Sequence, residues 1–89
     1  MFRLWVKLIR DNHLLRDTVI CDSTVDTRTH KVMNAIESAC YELDLAKPIW
    51  LDSTVKEFQR HSKCRFTKDA FMEDIEFDYM EIEVIEEEY

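Results

Sequence analysis

The chain has 89 residues, 46% of them hydrophobic and 35% charged, and a net charge of −7. That length holds one domain, residues 1–89, and two Trp, three Tyr and five Phe set it apart from disordered acidic chains. It contains no glycine, where an average composition supplies about six, which excludes phosphate-cradling glycine loops, the dinucleotide fingerprint and the strand-to-helix nucleophile elbow.

Residues 2–10 alternate, with Phe2, Leu4, Val6 and Leu8 on one face and Arg3, Trp5, Lys7 and Ile9 on the other. Period two predicts a strand. A second strand is expected over 14–22, and the short link DNHL makes the two a hairpin. With Asn12–His13 as the turn, Val6 faces Val19, Leu4 faces Cys21 and Leu8 faces Asp17. On the other face Arg3 meets Asp22, Trp5 meets Ile20 and Lys7 meets Thr18. A slip of one residue would exchange the faces of the whole second strand.

Val32, Ile36, Ala39 and Leu43 recur at helical spacing and predict a helix from Thr27 to Asp44, capped by Asp26 or Thr27 and ended before Pro48. Ile49–Leu51 reads as a short third strand and 53–62 as a short helix. Residues 63–73 are ambiguous. A long strand is expected over the end of the chain, IEFDYMEIEVIEEEY. Its apolar parity shifts from odd (Ile75, Phe77, Tyr79) to even (Met80, Ile82, Val84), which calls for a bulge near Asp78–Met80 or for two strands. The expected fold is α+β, with a small mixed sheet covered on one face by the long helix.

The order strand, strand, helix, strand, short helix, strand resembles that of ubiquitin-like β-grasp domains. The wording of the sequence also resembles that of small uncharacterised bacterial proteins, which implies no function. Within the β-grasp resemblance, the ending Glu86-Glu87-Glu88-Tyr89 lacks the Gly-Gly tail of modifiers and sulfur carriers. The spaced cysteines of β-grasp ferredoxins are missing too. What the resemblance leaves is a non-catalytic protein-interaction module.

Charge is segregated. Residues 1–68 carry twelve Lys or Arg and nine Asp or Glu, whereas 69–89 carry ten acids and no base. The basic stretch 56–68 gives an alternative function, nucleic-acid binding through Lys56, Arg60, Lys63, Arg65 and Lys68, with Phe58 and Phe66 as stacking groups. Its structural alternative is contact with the acidic final strand, whose Glu81, Glu83 and Glu86–Glu88 would oppose Arg3 and Lys7 across the sheet. Those glutamates are otherwise a lure for a basic partner or a divalent cation.

Three unpaired cysteines, Cys21, Cys40 and Cys64, fit free thiols in a reducing cytoplasm, and the N-terminus has no signal-peptide pattern. His61 and Cys64 form an H-x-x-C pair. Cys21 and Cys40, however, fall on apolar faces, so no metal or other cofactor is expected. No Ser or Cys is tied by spacing to His13, His30 or His61, so no catalytic residue is assigned and the chain is not read as an enzyme. The expected interaction residues are Trp5, Ile9 and Ile20, on the sheet face opposite the helix. The expected partner is another protein or a second copy of the chain, unless residues 63–73 fold over that face.

Overall fold

The structure, a computed structural model, describes residues 1–87. It begins with a hairpin of β1 (Phe2–Arg10) and β2 (His13–Asp22). The turn is Asp11–Asn12, with φ of 52° and 64°. A two-residue turn matching the strand twist needs positive φ at both central positions. Asp and Asn supply it without glycine, whereas an Asn12–His13 turn would ask it of His13. The register is therefore one residue tighter than expected. Leu4 faces Ile20, Trp5 faces Val19, Val6 faces Thr18, Lys7 faces Asp17 and Leu8 faces Arg16. None of the six expected pairs forms. Past Leu8 the register shifts so that Ile9 faces Leu14, leaving Leu15 as a bulge.

Thr27 caps α1 (Arg28–Leu43), its hydroxyl accepting from the His30 amide at 3.2 Å. Asp44 ends the helix in the left-handed region, at φ 57°. Val32, Ala35, Ile36, Ala39, Cys40 and Leu43 form the buried stripe. The strand expected at Ile49–Leu51 is extended coil outside the sheet. The Ile49 amide makes one bond, to the Ala70 carbonyl at 2.7 Å. Trp50 turns inward, edge-on to Phe66 at 4.9 Å and to Phe58 at 5.7 Å, and Leu51 becomes the N-cap of α2 (Asp52–His61). Three residues held between Pro48 and a helix start are too few to alternate and pair.

The third strand is instead β3 (Lys63–Thr67), where Cys64 and Phe66 point in and Lys63, Arg65 and Thr67 point out. A single 3-10 turn, Lys68–Ala70, follows. An irregular stretch then packs Phe71 edge-on to Phe77 at 5.5 Å. β4 is one strand, Tyr79–Glu86. Residues 75–77 precede it outside the sheet, and the Asp78 amide enters the ladder by donating to the Ile9 carbonyl at 2.8 Å. The parity shift thus marks the strand's start, and the register irregularity lies near its end, where Arg3 faces Glu86 but Leu4 faces Val84. Glu88 and Tyr89, expected in this strand, lie outside the described residues.

The molecule is an α+β domain with sheet order β2-β1-β4-β3. Every pairing is antiparallel, so the sheet is not mixed as expected. A strand entering the sheet directly after a single crossover helix would pair in parallel, but two helices stand before the next strand. The element order is consequently β-β-α-α-β-β, not the order in which the sequence resembles β-grasp domains. α1 lies over β1 and β2, and α2 lies against β3. Between them and the sheet are Phe2, Leu4, Val6, Leu8, Phe58, Cys64, Phe66, Met80 and Ile82, all buried.

Candidate interaction face

Because side chains alternate, burying one face of each strand sends the other set to the opposite face. That second face is covered by no described element. Residues 63–73, the candidate cover, supply β3, the 3-10 turn and the buried Phe71 instead.

The acidic β4 runs down the middle between two basic neighbours. On one side Lys7 of β1 reaches Glu81 at 2.9 Å and Glu83 at 3.3 Å, and Arg3 Nε lies 3.0 Å from Glu86. On the other side Arg65 of β3 lies 3.4 Å from Glu81 and over the Tyr79 ring at 4.6 Å. Lys7 and Glu81 are 12% and 13% exposed at the side chain, so the pair is only weakly screened by solvent. Burial alone would lower the Lys7 pKa, but the two glutamates outweigh it and the net direction is upward. Burial alone would raise that of Glu81, but Lys7 and then Arg65 outweigh it and the net direction is downward. Both groups are held in their charged forms.

The ion pairs close upon each other, and the uncharged groups between them give the face its character. Lys7 lies 3.9 Å from the Trp5 ring centroid, and the Trp5 indole donates to Asp17 at 2.9 Å. Val19 stands opposite Trp5, and Leu14 opposite Ile9; Val19 and Leu14 are both exposed.

Trp5 and Ile9 thus lie on the expected face. Ile20 does not: the tighter register turns it to the helix side, where it packs on the core. Val19, Leu14 and Tyr79 were missed. The Asp11-Asn12 pair, the one dipeptide in the link suited to two positive φ values, carried the signal for the two on β2.

The basic set is divided. Lys56 and Arg60 are exposed on α2, in the helical layer. Lys63 and Arg65 lie on the open sheet face opposite Glu83 and Glu81. Lys68 follows β3. Phe58 and Phe66, the expected stacking groups, are buried core residues.

Cys40 and Cys64 are buried, and burial pushes their thiols up to about 11 and about 12, which keeps them protonated at neutral pH. Cys21 is exposed. His61 is exposed at the end of α2 while Cys64 points into the core, and no group of three or more metal-ligating side chains converges among the described residues. His30 pairs with Asp26 at 2.9 Å, and His13 opens β2.

Among the concavities on the helical side are a groove and a cleft. An apolar groove of about 270 Å³ runs between α1 and α2, lined by Val32, Met33, Trp50, Val55 and Phe58. Arg28 also lines it, bonded to Ser62 at 2.8 Å and 3.0 Å from Glu87. A cleft of about 370 Å³ lies beside the end of α1, with Leu8, Leu43 and Phe77 inside and Asp44, Glu73, Asp74 and Glu76 around it.

No known family model matches this chain, and no curated protein or solved structure matches it.

Proposed function

We propose that the domain is a non-catalytic protein-interaction module that binds its partner through the uncovered sheet face. The observation that carries this reading is the pairing of Lys7, Arg65 and Arg3 with the glutamates of β4. It neutralises those particular charges from within, so docking over them need not strip an unpaired ion of water. Trp5, with Val19 opposite, supplies the aromatic and apolar contact that dominates binding energy at interfaces. A rigid sheet also presents these groups with little ordering cost.

The test is site-specific photo-crosslinking in the protein's own cells. A crosslinker replacing Ile9 should capture one defined protein, and one replacing Met33 on α1 should not. Trp5→Ala should then weaken binding of that purified protein about tenfold or more, in line with a buried aromatic anchor. A crosslinker at Ile9 that captures nothing specific, or a partner indifferent to Trp5→Ala, refutes the reading.

A further inference from the structure

Among the described residues the sheet has two free edges, β2 and β3, and they are guarded differently. β3 is five residues long and carries Lys63 and Arg65, two devices that keep edges from pairing. β2 is ten residues long with neither Lys nor Pro. Its bulge at Leu15 spoils the first part, but Arg16 to Asp22 continues in one regular register. Because Ile9 turns its carbonyl to the β4 side, the odd residues of β1 point their backbones away from β2. Their partners Asp17, Val19 and Cys21 therefore turn N–H and C=O outward along the free edge.

We propose that two copies of this chain pair through the free edge of β2, antiparallel about a two-fold axis at Val19. In this register Val19 faces its own copy, Asp17 faces Cys21 of the second chain, and Arg16 faces Asp22. The outward backbone groups of Asp17, Val19 and Cys21 then bond to one another, and two four-stranded sheets become one of eight. This contact uses the backbone of the β2 edge, whereas the reading above uses side chains of the open face; Val19 alone belongs to both.

Charge complementarity selects the register. Arg16 and Asp22 lie on the same face of β2, at opposite ends of its regular part, so antiparallel pairing about Val19 sets each against its opposite twice over. Both groups can take the added bond. Arg16 uses one N–H on the Leu43 carbonyl and has further donors. Asp22 accepts both Thr24 bonds at Oδ1, leaving Oδ2 to accept.

The helices also fit. Strands lie about 4.8 Å apart, so helices seated over the β1–β2 pairs would run about 10 Å apart across the axis, at ordinary packing distance. Thr18 bonds Glu42 at 3.0 Å, and Asp22 lies within the field of Lys31. Val19 therefore lies beneath the stretch of α1 around Ser38, whose small side chain lets the two helices approach.

Sedimentation equilibrium of the full chain tests this. The expected mass is twice the 10.8 kDa protomer, and a protomer mass that persists up to millimolar concentration overturns the proposal. Val19→Pro removes only an outward N–H from the edge, so it should give a protomer with an unchanged far-ultraviolet spectrum. Asp22→Arg should weaken the dimer about tenfold or more, and Arg16→Asp combined with it should restore the pairing without altering the fold. A dimer that survives both Val19→Pro and Asp22→Arg lies on another surface and refutes the edge contact. In a Cys21→Ser background, Val19→Cys should form an intermolecular disulfide under mild oxidation, because the register sets that position against itself. A dimeric Val19→Cys protein that does not crosslink refutes the register.

Discussion

Lys7 has two carboxylates within bonding distance and little water, so its pairing with Glu81 contributes to stability instead of merely decorating the surface. The folded-state pKa of Glu81 lies below its ordinary 4.5. Its contribution is therefore complete above about pH 4.5 and is lost as pH falls through the lowered folded value. Lys7, raised above 10.5, contributes below that value and loses its contribution only as pH rises through the higher folded one. Glu81→Gln should cost about 1.5–3 kcal/mol at neutral pH, toward the lower end because Glu83 remains beside Lys7. Urea denaturation across pH should show the gap between wild type and variant closing in acid; a gap constant down to full protonation would contradict this account. The pairing was legible in the sequence, because bases alternating on β1 and glutamates alternating on β4 can share a face. The place of Ile20 was not, because that depends on a register two residues in the turn decide.

At the scale of elements, the turn is the informative case. The hairpin's existence followed from two alternating runs and a short link; its register depended on which two residues adopt positive φ. Asn12, at φ 64°, tolerates that region better than alanine. Asn12→Ala should therefore cost about 1 kcal/mol, while Asn12→Gly should keep or raise stability. His13→Gly places glycine in a strand and should lower stability. Urea midpoints for the three variants decide the matter, since a gain from His13→Gly would put His13 in the turn. The short elements misled for another reason. Ile49–Leu51 is apolar but serves as coil and helix cap, while Lys63–Thr67 hides a period-two pattern, Cys64 and Phe66, among bases. The charge density of that stretch masks its alternation.

At the scale of the molecule, the α+β class and the one-sided cover followed from one long amphipathic helix and several alternating segments. The direction of the strands did not, because it rests on how many helices separate β2 from β3. The order β2-β1-β4-β3 also places the last strand made beside the first: the Lys7–Glu83 contact spans 76 residues. The central seam of the sheet is thus the last that can close during synthesis, and pairing so distant in sequence slows folding. During synthesis the N-terminal hairpin waits with β1 open along one edge, a condition that invites misassociation. The segment that will close it holds ten acids and no base between 69 and 89, and such like charges repel one another in nascent copies while Arg3 and Lys7 draw the segment to its place. Refolding from urea should slow as salt rises, because screening weakens that attraction before contact. A chain truncated after Asp78 should lack cooperative unfolding, since β1 and β3 would have no strand between them. The acidity that ends as paired charges in the finished domain would thus keep unfinished copies of the chain apart.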